Sequence, residues 1–205
     1  MHKYSLILFF CLHTLISYSQ EKINSVNLSL WNPITTHKYD SLSTTRFTFG
    51  LGQSKVHNLS GLGVNLVHGE ISGNLSGLTF AGLGSHIHGD AKGLVLSGLT
   101  NVVRGKLRGI ETSALLNMNI GSVTGVQIAS LGNMSIDQMR GIQVAAGYNV
   151  VSSKASGLQL SAISNITAKG SNITQISGIF NVSLESMKGF QFAAANPAFT
   201  LASSV

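Results

Sequence analysis

The sequence predicts an all-β fold, a β-solenoid of about nine stacked 16-residue repeats with an N-terminal cap. Gly recurs at every sixteenth residue from Gly61 to Gly189, and only Ile173 breaks the series. Asn recurs with the same period from Asn101 to Asn181, eight residues after the Gly. The composition agrees with this fold, because 23 Gly, two Pro and only 10% charged residues favour strands and turns over helices.

Residues 1–19 have the features of a signal peptide. Lys3 supplies a positive charge, residues 6–16 form an apolar core, and small residues precede the predicted cleavage site after Ser19. The core is too short to span a bilayer. Cys11, the only cysteine, lies in this segment, so the chain after cleavage has no disulfide. We therefore expect export to the cell surface or outer membrane of a Gram-negative-type bacterium, or secretion.

Residues 20–53 precede the repeats and are predicted to form a strand-rich cap. Apolar and polar residues alternate over residues 26–30 and again over residues 46–51, which predicts two strands. Trp31, Asn32 and Pro33 predict a turn between them. Open solenoids need such a cap, because the first coil otherwise exposes a sheet edge.

The array of β-repeats is predicted to span residues 54–205. After the Gly of each repeat come an apolar, a polar, an apolar and a small residue, as in Val126, Gln127, Ile128 and Ala129. This alternation is typical of a strand with one buried face. We expect two short extended arms in each repeat, with the Gly at one corner and the Asn near the other.

One repeat cannot fold alone, because ordering 16 residues costs roughly 24 kcal/mol of conformational entropy. Stacking the repeats in register places identical side chains above one another, which predicts hydrogen-bonded Asn and Gln ladders and continuous aliphatic stripes. The predicted structural ladder consists of Gly77, Gly93, Gly109, Gly125, Gly141 and Gly157 with Asn101, Asn117, Asn133, Asn149, Asn165 and Asn181.

An antiparallel β-barrel is the alternative fold, and it would make the protein an outer-membrane barrel or a pore component. Two observations weigh against it. Arms of about six residues are shorter than the 9 to 11 that a membrane strand needs. Trp31 is the only Trp, so the aromatic girdles of such barrels are missing.

Residues 125–133 (GVQIASLGN) and 157–165 (GLQLSAISN) resemble the repeat of bacterial surface-repeat-containing proteins, an exported family with units of the form Gly-Val-Gln-Ile-x-x-x-x-Asn. The resemblance covers residues 54–197, and the predicted signal peptide fits it. Early repeats depart from the pattern, with Gly63, Thr79, Val95 and Glu111 where later ones have Gln. The resemblance implies an exported repeat architecture and no particular reaction, so no functional residue is carried over.

His86 and His88 are the best candidates for a metal site, with His68 one repeat earlier. Two His separated by one strand residue point the same way, as a Zn or Cu site requires. Other repeats have Val, Met, Ile or Arg at these two positions, so the favoured interpretation is polar substitution in a partly buried column, with no metal.

Catalysis is not expected, and neither is a cofactor. The seven acidic residues fall in different columns of the repeat, so no carboxylates are paired for acid–base chemistry. No Gly-x-Ser-x-Gly nucleophile elbow with His and acid partners is evident.

The charge pattern also bears on partners. The formal net charge is +6, but Arg104, Lys106 and Arg108 are the only local cluster and have no interleaved aromatic residues. Nucleic acid is therefore not an expected partner. We expect a structural or binding module of the cell surface, with a surface glycan or another envelope protein as partner; contact with a membrane is also compatible with the sequence.

Overall fold

The computed structural model describes residues 22–194, and over this range all regular secondary structure is β. No helix that could cross a membrane occurs among these residues. The predicted signal peptide and Cys11 lie outside the described residues. In chain order the strands are β1 (Lys22–Trp31), β2 (Ile34–Thr35), β3 (Ser43–Gly50), β4 (Gln53–Val56), β5 (Asn58–Asn65), β6 (His68–Ile71), β7 (Leu75–Ala81), β8 (Gly84–Ile87), β9 (Ala91–Ser97), β10 (Thr100–Val103), β11 (Leu107–Ser113), β12 (Leu116–Asn119), β13 (Val123–Ala129), β14 (Gly132–Ser135), β15 (Met139–Ala145), β16 (Tyr148–Val151), β17 (Ala155–Ser161), β18 (Ser164–Thr167), β19 (Ser171–Ser177), β20 (Phe180–Ser183), β21 (Met187–Lys188) and β22 (Gln191–Phe192).

Each repeat contributes one long and one short strand to two separate sheets. The long-arm sheet contains β1 to β3, then the odd-numbered strands to β21, and β22, and the short-arm sheet contains the even-numbered strands β4 to β20. Neighbouring strands within the array are parallel and pair residues 16 apart, for example Gly109 with Gly125 and Asn117 with Asn133. The predicted β-solenoid is confirmed. The alternative barrel is wrong, because each strand of the array pairs in parallel with its equivalent in the next coil.

The strands that precede the repeats, β1 to β3, extend the long-arm sheet. β1 pairs in parallel with β3, and β3 pairs in parallel with β5 after a register shift between Thr45 and Phe47. The predicted turn is present at Asn32 and Pro33, after which β2 folds back antiparallel on β1 and lies at the edge of the sheet.

The Gly column lies inside the long strands and not at a corner, so that part of the prediction is wrong. Gly109 and Gly125 have φ values of +146° and +144°, which side chains rarely adopt. A Cβ at Gly125 would collide with the carbonyl oxygen of Gly109 in the preceding coil. Ile173 replaces the Gly without a positive φ and buries its side chain in the interior.

The Asn column is also displaced from its predicted position near a corner. Each Asn from Asn101 to Asn181 is the second residue of a short strand, and its side chain is buried. The chain instead turns just outside the arms, as at residues 98–99 and 104–106. The buried amides belong to the interior and therefore have to be satisfied there.

The alternation along the long arm has an unexpected orientation. The Gln and small residues face inwards, and most of the aliphatic residues on either side of the Gln face outwards. The apolar part of the core comes from other columns, chiefly the first residue of each long strand, such as Leu75, Leu107, Val123 and Met139, and from the short-arm residues Ile71, Ile87 and Val103.

Candidate functional site

The Asn ladder, Asn101, Asn117, Asn133, Asn149, Asn165 and Asn181, runs through the interior of the solenoid. Nδ2 of Asn117 donates to Oδ1 of Asn133 and to the carbonyl oxygen of Ile128, each at 2.8 Å. The same two bonds recur from Asn101 to Asn165 at 2.7 to 2.9 Å. Each amide is thus tied to the next coil twice, which fixes the register of the stack.

The Gln ladder, Gln127, Gln143, Gln159, Gln175 and Gln191, runs beside it in the opposite sense. Nε2 of each Gln donates to Oε1 of the Gln in the preceding coil, at 2.6 to 2.8 Å. The predicted Asn and Gln ladders are confirmed. The Gln ladder ends at Glu111, whose Oε2 accepts from Nε2 of Gln127 at 2.9 Å.

Among the described residues, Glu111 is the only acidic residue whose side chain is completely buried. Burial raises its pKa to about 8, against the hydrogen bonds of Gln127 and Asn119, which favour the ionised form. The carboxyl group is therefore mostly protonated at neutral pH. Since it is enclosed, it terminates a ladder and cannot meet a solute.

The outer surface of the long-arm sheet is an aliphatic face. It comprises two columns, Leu62, Leu78, Leu94, Ile110, Val126, Ile142, Leu158 and Phe190, and Val64, Phe80, Leu96, Ile128, Val144, Leu160, Ile176 and Phe192. None of these side chains is buried, and Leu78, Ile110 and Ile128 are 47%, 45% and 41% exposed. The predicted aliphatic stripes exist, and solvent reaches them.

The aliphatic face continues into β1 and β3, which precede the repeats. Val26 and Phe47 are in register with Leu62, and Leu28 and Phe49 are in register with Val64. Near β2 an apolar groove opens at this end, lined by Leu28, Leu30, Ile34, Phe49 and Leu51.

A basic row lies along one edge of the aliphatic face. Lys92, Arg108, Arg140 and Lys188 occupy the column two residues before the first aliphatic column, and they are exposed. Strand register brings Lys92 beside Arg108, while Thr124 separates Arg108 from Arg140. Within residues 22–194 none of the four forms an ion pair, since the recorded pairs join Glu70 to Lys55 and to His88.

Two shallow polar clefts lie along the same edge. One is lined by Lys106, Arg108 and Arg140 together with neutral polar side chains, and the other by Arg140 and Lys154. The acidic residues of this region, Asp90, Asp137 and Glu185, lie in the turns beyond the basic row. The basic row itself contains only cationic or neutral polar residues.

His86 in β8 and His88 just after it point the same way, as predicted, with their rings stacked at a centroid separation of 4.2 Å. Nε2 of His88 is 3.5 Å from Oε1 of Glu70, which Lys55 also contacts at 2.9 Å. Burial lowers the pKa of His86, and the nearby His88 acts in the same direction. Among the described residues no group of three or more His, Cys, Asp or Glu is placed to hold a metal ion, and His68 lies across from Gly84.

The basic row was missed by sequence reasoning, which looked for charge clusters between neighbouring residues. Arg104, Lys106 and Arg108 are close in sequence, but only Arg108 belongs to the row, and Arg104 and Lys106 lie in the turn before β11. The signal was present in the 16-residue column itself, which contains Lys92, Arg108, Arg140 and Lys188 with no acidic member.

No family model, curated protein or solved structure compared with the chain matches it.

Proposed function

We propose that this chain is a non-catalytic scaffold of the bacterial cell envelope, exported by its N-terminal segment, that binds its partner through the outer surface of the solenoid. The observation that carries the proposal is the distribution of side chains. The buried amides of the Asn and Gln ladders are hydrogen-bonded to one another, whereas the aliphatic face is left uncovered over the whole length of the array. Uncovered apolar surface of this extent is typical of binding surfaces.

The distribution of reactive groups supports a binding role over an enzymatic one. Glu111 is enclosed, and Glu70 is occupied by Lys55 and His88. The clefts along the basic edge contain cations and neutral polar groups but no carboxylate or His to act as a base. The repeat of exported surface proteins that residues 125–133 and 157–165 resemble agrees with this role.

The proposal is tested by expressing the full chain in a Gram-negative host and separating cytoplasm, periplasm, membranes and medium. We expect the chain outside the cytoplasm with an intact mass that corresponds to loss of residues 1–19. Leu8→Arg, which interrupts the apolar core, is the matched control and should keep the chain in the cytoplasm. An uncleaved chain that stays in the cytoplasm without the substitution would contradict export.

A further inference from the structure

The aliphatic face is long, flat and regular. Nine coils at about 4.8 Å make it about 43 Å long, and two columns separated by about 7 Å give it an apolar area on the order of 300 Å². Isolated exposed aliphatic residues are ordinary on protein surfaces, but a continuous patch of this size marks an interaction site. The apolar groove by β2 enlarges it at one end.

The basic row adds positive charge along one edge of this surface. Cations border the aliphatic face along one edge, with no acidic residue in their column, so the surface combines apolar area with a line of positive charge. This combination suits a ligand that has both hydrocarbon and anionic head groups. The short-arm sheet is a poorer candidate, because Glu70, His86 and His88 interrupt its apolar outer surface.

We propose that the aliphatic face and the basic row dock together on a bilayer that contains anionic phospholipid. The aliphatic side chains enter the interfacial region, and Lys92, Arg108, Arg140 and Lys188 meet the phosphate groups, with the polar clefts at Arg108 and Arg140 as head-group sites. A second copy of the chain is the rival occupant. It would bring a second positively charged molecule to this surface, whereas a lipid phosphate brings the opposite charge.

This inference deepens the proposed function, since a scaffold of the envelope meets such lipids, but it is tested separately. The full chain, purified from one cell fraction for all variants, is floated with vesicles of phosphatidylcholine alone or with 30% phosphatidylglycerol. We expect binding to the phosphatidylglycerol vesicles at least tenfold tighter than to phosphatidylcholine, and weaker at 0.5 M than at 0.1 M NaCl, because salt screens the charges.

One variant removes three of the four charges of the basic row without disturbing the strands. The variant is Lys92→Ser/Arg108→Thr/Arg140→Ser. Its new side chains are compatible with the fold, because other repeats have Ser76, Thr124 and Ser156 in the same column. We expect its affinity for phosphatidylglycerol vesicles to fall at least tenfold. The control Lys38→Ser/Arg104→Ser/Lys169→Ser removes the same charge outside the row and should change the affinity less than threefold.

A second variant tests the aliphatic face. The variant is Ile110→Thr/Ile128→Thr. Thr is compatible with both positions, because Thr174 lies in the column of Ile110 and Thr112 in the column of Ile128. We expect weaker binding to the phosphatidylglycerol vesicles, by about fivefold or more. Ile120→Thr/Ile136→Thr is the matched control, because these side chains are 43% and 41% exposed but lie in the turns after β12 and β14, outside the aliphatic face, and it should bind as the parent does. Circular dichroism verifies that all variants fold.

Several results would overturn the inference. The chain could fail to bind either vesicle, bind both equally, or lose as much affinity in the controls as in the variants. A soluble dimer that Ile110→Thr/Ile128→Thr dissociates, with no binding to vesicles, would assign the aliphatic face to a second copy. If the chain is exported but does not bind vesicles, only the proposed lipid partner is refuted. If the chain binds vesicles but stays in the cytoplasm, only the envelope role is refuted.

Discussion

The two halves of the solenoid share one backbone but have different interiors. In the N-terminal coils the column of the Gln ladder holds Gly63, Thr79 and Val95, and the column of the Asn ladder begins with Ser54, Gly69 and Ser85. In the C-terminal coils both columns are amides. The aliphatic face is the same in both halves. The interior can therefore be lined by apolar residues or by amides, provided that each coil fills it. The two aliphatic columns of the long-arm sheet are kept in both halves.

Glu111 lies where the two interiors meet, and it predicts the largest effect. A carboxyl group whose pKa is about 8 in the folded chain and near 4.5 in the unfolded chain binds its proton more tightly when folded. Its contribution to stability is complete below pH 4.5, is lost as the pH rises to about 8, and is constant above that. At about 1.4 kcal/mol per pH unit, the loss across this window is about 5 kcal/mol.

Glu111→Gln isolates this contribution, because a neutral amide has no titration and still offers an oxygen to Nε2 of Gln127. We expect the difference in unfolding free energy, parent minus variant, to fall between pH 5 and pH 8 in urea titrations. The other titrating groups, such as Glu70 and His86, are common to both proteins and cancel. A difference that is independent of pH would mean that water reaches the carboxyl group and that the two interiors do not form a closed boundary there.

The Gly column is the feature that the two halves share, and it predicts the next largest effect. Gly125→Ala and Gly77→Ala should each cost about 3 kcal/mol, since both residues have a positive φ and a Cβ at either would strike the Gly carbonyl of the preceding coil. Thermal and urea unfolding measure the loss. Similar costs are expected in both halves, whatever the interior.

Gly170→Ala is the control, because a Cβ there would come no closer than 3.3 Å to its neighbours and the backbone has no positive φ. It should change the stability by less than about 0.5 kcal/mol. A large loss only at Gly125 would show that the amide ladders, and not the stacked backbone, make the column intolerant.

The period of the sequence was enough to predict the solenoid, the ladders and the stripes, because identical residues 16 apart can coincide only if the coils stack. It was not enough to predict which residues face inwards. Alternation of Val126, Gln127 and Ile128 fits either orientation, and the ordinary expectation of a buried apolar face fails here because the amides satisfy one another across coils. The positions of the Gly and Asn columns were also wrong, because both residue types favour turns, whereas here they serve close approach and hydrogen bonding between strands.

The same substitution, Thr to Val, made once in each half compares the two interiors most directly and has the smallest expected effect on stability. Thr167 and Thr79 are both buried, at 0% and 2% exposure, and Val has nearly the same shape. Oγ1 of Thr167 accepts from Nε2 of Gln175 at 2.9 Å and donates to Oε1 of Gln159 at 3.3 Å, whereas Oγ1 of Thr79 has no hydrogen-bond partner among residues 22–194.

Thr167→Val should therefore cost about 1 to 2 kcal/mol, because it leaves a buried donor of Gln175 with one acceptor fewer. Thr79→Val should be neutral or stabilise the fold by up to about 1 kcal/mol, because it removes a hydroxyl group that burial penalises. Urea unfolding of the two variants beside the parent measures both. Equal losses would show that Thr79 bonds to water or to another group inside the N-terminal coils, and that the two interiors are more alike than their sequences indicate.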